Sequence, residues 1–291
     1  MLTREACARS MRTGANRRAE VESLGAWQEV GDGVFVMRYE FFDQDIGAVV
    51  GDGEVLVIDT RTTYAQAREL LEDLRRLTPH PWTVLNTHHH FDHAFGNAVF
   101  RPADFWGHER CAAELRAHGD LAKRLIGQEM PELAEELAEV EIVPPNRTVG
   151  DAGRIVVGGR IVELRHLGRG HTDNDLVAIV PDASVLFLGD LIEVGAPPSF
   201  GDSFPLDWPE TNARVAELFD ESAAVVPGHG SVTDREFVLR QTADLAVAAA
   251  IAREAHAGGE AIESAIERVP FPEPFARACL ERAYAQLDGA I

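Results

Sequence analysis

Short runs of β-branched residues separated by turn dipeptides set the pattern from Trp27 onward. Residues 33–37, 46–50 and 55–59 read as strands, punctuated by Asp32-Gly33 and Asp52-Gly53, the kind of pair that makes a tight turn between apolar runs. At 63–77 the period lengthens to that of a helix. Leu70, Leu71, Leu74 and Leu77 share one face there, and Pro79 and Pro81 end it. A strand at 82–86 leads directly into a run of histidines, followed by a short helix after Ala94 and a strand at 103–107. Segment 109–140 is helical and charged, interrupted at Gly119 and Pro131. Strands resume at 154–157, 161–166, 176–180 and 185–188. Residues 193–208, rich in Gly, Pro, Ser and Phe, read as a long loop. A helix near 209–219, a strand at 224–226 and helices across 233–288 complete the chain.

Two successive β-rich stretches, each followed by helix, predict an α/β fold of four layers, an αβ/βα sandwich with a helical insertion and C-terminal helices. The expected organisation is a loosely ordered extension over 1–26, a domain over 27–232 that contains the insertion at 109–140, and a helical segment over 233–291 packed on that domain. Side chains at strand ends then converge on one edge, where open sheets place their sites. The insertion falls between two groups of chemically notable residues, which makes it either a lid over them or a plain surface insertion.

Charge narrows the functional classes. The 291 residues carry 27 Lys and Arg against 48 Asp and Glu, a formal net charge of −21. That field repels phosphate backbones and anionic membrane surfaces, so nucleic acid and membrane are disfavoured as partners and a small-molecule substrate is expected. Cys7, Cys111 and Cys279 form no C-x-x-C pair, and their odd number fits reduced thiols in a cytoplasmic protein. The arginine-bearing first 18 residues lack the apolar core of a secretory signal, and no apolar stretch is long and uncharged enough to span a bilayer.

The candidate chemistry begins at the end of the 82–86 strand. His88, His90, Asp92 and His93 form an H-x-H-x-D-H array, and three further donors sit in Gly-flanked turns: His171 in Gly-His-Thr, Asp190 in Leu-Gly-Asp and His229 in Gly-His-Gly. Five imidazoles and two carboxylates suffice for two divalent metals. Residues two apart at a strand end point the same way, so His88 and His90 can join His171 in a three-nitrogen face with one coordination position open. Asp92, His93 and His229 are then left for a second metal. Asp190 can bridge the pair at a separation of roughly 3.5–4 Å, because each of its oxygens can take one ion.

A hydroxide generated on such metals attacks a carbonyl at neutral pH without an activated Ser or Cys, and Asp92 is placed to orient it and shuttle its proton. Asp59, at the end of the 55–59 run, is a candidate to receive the outer N–H of a ligand imidazole; a turn or helix cap is its other reading. His89 is expected to point away from its two neighbours. Phe42, Phe91, Phe204 and Trp208 are candidates to line a substrate pocket for an apolar acyl or ring substituent.

The four motifs at 88–93, 170–172, 188–190 and 228–230 resemble those of the metallo-β-lactamase superfamily, over about residues 27–230. All seven ligand positions of its dinuclear members are matched by type and order. The resemblance implies the same sandwich, His88, His90 and His171 on one metal, Asp92, His93 and His229 on the other, and Asp190 between them. Two zinc ions are expected, with iron or manganese also compatible with the donors. Zinc β-lactamases commonly carry Cys or Ser at the position of Asp190 and a downstream Lys, whereas the single Lys here is Lys123, inside the insertion. The expected activity is therefore hydrolysis of an ester, lactone or thioester. The alternatives are a β-lactamase-like amide hydrolase, which the segment G-H-T-D-N-D-L-V favours, a mononuclear-iron persulfide dioxygenase-like enzyme, and a non-catalytic metal-binding module.

Overall fold

The strand β4 (Val55–Ile58) shows how the chain builds its layers. All four residues are buried, Leu56 and Ile58 against one apolar cluster and Val55 and Val57 against another. Alternate side chains of a strand point to opposite faces, so a continuous apolar run marks a strand covered on both sides. The computed structural model describes residues 24–291, so Cys7 and most of the expected 1–26 extension lie outside the described residues.

The first half contributes β1 (Trp27–Gly31), β2 (Val34–Tyr39), β3 (Gln44–Val50), β4, β5 (Trp82–Leu85), β6 (Phe105–His108) and β7 (Arg147–Val149). The second contributes β8 (Ala152–Val157), β9 (Arg160–Arg165), β10 (Val177–Val180), β11 (Val185–Glu193) and β12 (Ala224–His229). Strand order is β7-β6-β5-β4-β3 on one side and β12-β11-β10-β9-β8 on the other, with β1 and β2 attached through β3. In the strand ladder the two runs pair at one position among the described residues, Gln44 with His229.

Between the two runs lies a core drawn from both, including Val36, Leu56 and Leu85 on one side and Val162, Phe187 and Val226 on the other. Gly47 is what lets the runs approach: a β-carbon there would fall 2.4 Å from the Phe187 ring. Helix α1 (Tyr64–Leu77) covers the outer face of the first run, with Ala67, Leu70 and Leu74 buried against Val55, Val57 and Val84. Its start is fixed by Thr63, whose side chain accepts from the Gln66 N–H. Two 3₁₀ turns and the one-turn α2 (Phe91–Ala94) follow the histidine run. On the outer face of the second run pack α5 (Trp208–Ala216), α6 (Arg235–Ala257), the single turn α7 (Ile262–Ala265) and α8 (Phe275–Leu287). The result is the four-layered αβ/βα sandwich. Segment 109–140 forms α3 (Glu109–Glu129) and α4 (Ala134–Glu139), whose Cys111, Leu115 and Leu137 pack with Ala94 and Phe95.

Several strand limits differ from expectation, and two of the extended strands, β11 and β12, carry donors. β12 runs on past 226 to His229, and neither β1 nor β7 is among the expected strands. β11 runs five residues beyond 188, so Asp190 stands within a strand rather than in a turn closing it. The register of β11 with β12 slips on either side of Gly189, whose φ of 52° lies in the left-handed region, and this irregularity re-aims Asp190. β7 was absent from the sequence reading because a three-residue edge strand, Arg-Thr-Val, carries too little alternation to register. Among the described residues no helix is long and apolar enough to cross a membrane.

Candidate metal centre

The seven expected donors come together at one edge of the sandwich, beyond the carboxyl ends of the parallel pairs β4–β5 and β11–β12. His88, His90, His171 and Asp190 form one group whose donor atoms lie within 4.8 Å of one another, and Asp92, His93 and His229 form a second within the same limit. Asp190 stands between them. Its Oδ1 lies 3.2 Å from His93 Nε2, and its Oδ2 lies 3.3 Å from His229 Nε2, 3.4 Å from His171 Nε2 and 3.7 Å from His88 Nε2. Asp92 Oδ2 is 3.3 Å from His229 Nε2 and 3.5 Å from His93 Nε2.

Local structure explains the convergence. β5 ends at Leu85, and the histidine run that follows is pinned from several sides. Asn86 Nδ2 and the Thr60 backbone N–H both donate to the His93 carbonyl, and Gln44 Nε2 donates to that of Asp92. Thr87 accepts the backbone N–H of Leu176 and so ties the first run to the second.

The outer nitrogens decide which way the inner ones face. Thr87 Oγ1 has one proton and donates it to Asp59, 2.8 Å away, so it must accept from His88 Nδ1 at 3.1 Å. His93 Nδ1 donates to Asp59 at 2.8 Å, His229 Nδ1 to the Phe42 carbonyl at 2.8 Å, and His90 Nε2 to Asp202 at 3.0 Å. Each of these four rings thereby turns its other nitrogen inward. His88 Nε2 and Asp190 Oδ1 are buried with no hydrogen-bond partner, and His90 Nδ1 faces His171 Nε2 at 2.9 Å. Imidazole nitrogens converging on an anionic carboxylate make a site for positive charge, and this donor set fits a divalent metal in each group.

The electrostatics agree. Burial and then the neighbouring His93 hold His88 well below its ordinary range, and burial brings His171 down to about 4, so both offer bare nitrogens at neutral pH. Burial alone would protonate Asp92 and Asp190. Surrounding imidazoles, led by His93 for Asp92 and by His229 for Asp190, outweigh it and keep both carboxyls below their usual range. Burial likewise works against charge on His93 and His229, but the carboxylates, led by Asp190, outweigh it and push both rings well upward. Positive charge is what the pocket demands.

Asp59 has the outer role expected of it, reaching both His93 and Thr87 from a left-handed φ of 68°. Sequence reasoning missed Asp202, which lies in the Gly/Ser/Phe-rich loop without a motif around it. It also misjudged His89. The expected alternation lapses because the strand has already ended, and His89 turns toward the site, with Nδ1 2.9 Å from Asn174 Nδ2 and Nε2 3.4 Å from Asp202 Oδ2.

The aromatic candidates divide. Phe91 lines a cavity of about 460 Å³ beside His89, His90 and Asp202, and Phe42 packs edge-on against it with ring centroids 5.8 Å apart. Phe204, expected at the substrate, instead lines a different cleft, where the guanidinium of Arg169 stacks 4.3 Å from its ring. Trp208 is also corrected: it is fully buried, donates to the Leu191 carbonyl and supports the His171 ring from behind at 5.6 Å. A helix start inside an apolar layer, rather than a loop, accounts for its burial.

Residues 39–229 match the family described as the metallo-beta-lactamase superfamily. The chain belongs to the metallo-β-lactamase superfamily. As a member it is a metal-dependent hydrolase. It is 26% identical over 204 residues to the metallo-beta-lactamase type 2 of Bacillus cereus, covering 68% of this chain and 72% of that protein. A 124-residue match to the protein of the same name from Bacteroides fragilis, also 26% identical, spans half of that relative and 41% of this chain. The acyl-coenzyme A thioesterase MBLAC2 of Gallus gallus is 25% identical over 248 residues, 74% of this chain and 84% of its own length. Among solved structures, TMB-1 superposes with a TM-score of 0.58 at 19% identity, covering 75% of this chain and 94% of its own. VMB-1 gives 0.57 at 19% identity over 77% and 97%. These two share the fold.

Proposed function

We propose that the protein is a dinuclear zinc hydrolase acting on an ester, lactone or thioester. One observation carries the reading: imidazole nitrogens turned inward by their outer hydrogen bonds surround a buried carboxylate, Asp190, that reaches both donor groups. His88, His90 and His171 would hold one ion, Asp92, His93 and His229 the other, and Asp190 would lie between them. Metals held there supply a nucleophile from water at neutral pH and polarise the substrate carbonyl. Asp92, a carboxylate kept ionised beside His93 and His229, would orient a water at the site and accept its proton.

The relative from Gallus gallus, named as a thioesterase, and the apolar cavity beside His90 favour an acyl ester or thioester. Amide hydrolysis of β-lactams is the second reading, favoured by the two relatives named metallo-beta-lactamase. Buried free thiols at Cys111 and Cys279 suit a reducing, cytoplasmic setting. Elemental analysis of the purified protein together with a panel of lactone, thioester, aryl ester, phosphodiester and cephalosporin substrates tests the proposal. Two zinc per chain with ester, lactone or thioester turnover is expected. Turnover of the cephalosporin alone would move the assignment to the amide reading, and one iron per chain without hydrolysis would overturn both.

A further inference from the structure

The cavity next to the donor groups is walled by α3, the helix of the insertion. Leu115, Ala122, Leu125 and Ile126 recur at helical spacing along one side of α3 and line it, a stripe about 16 Å long at 1.5 Å per residue. Gly119 holds that stripe in place. A β-carbon there would fall 2.7 Å from the Ile142 side chain, so only glycine lets the helix sit this close to the segment that follows α4. The opposite wall is Phe91 and Phe95, edge-on with centroids 6.4 Å apart.

One end of this apolar space opens on the site. His90, whose Nδ1 belongs to the first donor group, lines the cavity, as do His89 and Asp202. A group lying along α3 is therefore covalently close to any carbonyl held at the donors. The charged residues of the lining are Glu114, which pairs with His118 at 2.8 Å, and Asp202; neither Lys nor Arg is among them. An acidic rim around an apolar interior disfavours a second carboxylate on the ligand. About 460 Å³ is within the range of small-ligand pockets.

We propose that this cavity is the acyl pocket, and that the substrate is an ester, lactone or thioester of an uncharged, unbranched, medium-chain acyl group. The inference rests on the hydrolase reading above. Hydrolysis adds water across the acyl bond: oxygen bonds to the carbonyl carbon, and the C–O or C–S bond breaks. The alcohol or thiol takes up a proton, leaving as a separate product from an ester or thioester and staying tethered to the acid in an opened lactone. The length of the acyl chain, rather than the leaving group, sets the specificity.

Binding by neutral analogues on chelator-treated protein separates the pocket from the catalysis. Affinity for hexanamide, octanamide and decanamide, measured by calorimetry, is expected to rise by about fourfold per methylene. Ala122→Trp, which fills the cavity, should weaken octanamide at least tenfold, and Leu125→Asp supplies the same test if the tryptophan variant does not fold. In the zinc-loaded enzyme, the kcat/KM ratio of octanoyl over acetyl 4-nitrophenyl ester should fall at least tenfold in either variant. Affinity independent of chain length, or octanamide binding unchanged in the variants, would overturn the pocket whether or not esters turn over. Octanamide binding without hydrolysis of any ester, lactone or thioester would overturn the hydrolase reading, and with it the acyl identity of the bound chain.

Discussion

Gly228 stands directly against Asp190: a β-carbon at residue 228 would fall 1.8 Å from Asp190 Oδ1. The glycine is there because the carboxylate needs its space. Gly228→Ala must push Asp190 away from the imidazoles it touches, at an overpacking cost of about 1–3 kcal/mol. The expected result is loss of metal from both groups, the same outcome as Asp190→Ala. Metal content by mass spectrometry under native conditions checks it, and two ions retained in Asp190→Ala would refute the bridging role.

Asp59 and Asp202 hold opposite ends of the centre. Asp59 serves His93 and, through Thr87, His88, whereas Asp202 serves His90 alone among the candidate ligands. Loss of such outer partners typically costs 10–100-fold in metal affinity. Asp59→Asn should therefore weaken both ions by about that factor. Asp202→Asn should weaken the His88/His90/His171 group and spare the other. Competition with a chromophoric chelator resolves the two binding steps, and equal weakening of both by Asp202→Asn would contradict the division.

A pH effect on stability is expected at a histidine outside the donor set. His108 is buried, and burial, followed by repulsion from His166 and Arg110, lowers its pKa to about 4. Its neutral Nδ1 accepts the Arg110 N–H at the start of α3, a cap that a protonated ring cannot make. The folded state thus binds the proton less readily than the unfolded chain. The contribution is fully present above pH 6.5 and is lost as pH falls toward 4, about 2–3 kcal/mol over that window. His108→Asn keeps a capping oxygen and removes the titration. Denaturant melts of metal-free protein should show the wild type losing that much more stability than the variant between pH 7 and pH 4, and parallel curves would refute the assignment.

Removal of metal should lower the melting temperature as well as abolish activity. A ligand at a hundredfold its dissociation constant adds about 2.7 kcal/mol to the folded state. Calorimetric scans with and without a chelator check the shift, and activity lost at an unchanged melting temperature would mean that the donors are not a site of tight binding.

Legibility followed the strength of local signals. The sandwich could be read because β4 and the first four residues of β11 are apolar without interruption and α1 carries its leucines on one face. The seven candidate donors stood out because four form one H-x-H-x-D-H array and three more, His171, Asp190 and His229, each follow a glycine, spacings that packing alone gives no reason to recur. Asp202 was invisible, since a carboxylate in an irregular loop gains its role only from the fold that brings it to His90. Trp208 and Phe204 misled for a related reason. An aromatic residue in a Gly/Pro-rich segment does not reveal which layer the chain will fold it into. The insertion was legible as helix and as either a lid or a plain surface segment; its apolar stripe could not be matched to Phe91 and Phe95, about 20–35 residues away in sequence.

The seven candidate donors are divided by the chain: His88, His90, Asp92 and His93 precede β7, and His171, Asp190 and His229 follow it. A cation gripped by both contingents acts as a clasp across the seam between them. By linkage, whatever loosens the seam must release the cation, and the cation must in turn tighten the seam. Severing the backbone between β6 and β8 would leave each fragment with an incomplete grip, and reassembly of the two would then depend on the metal concentration.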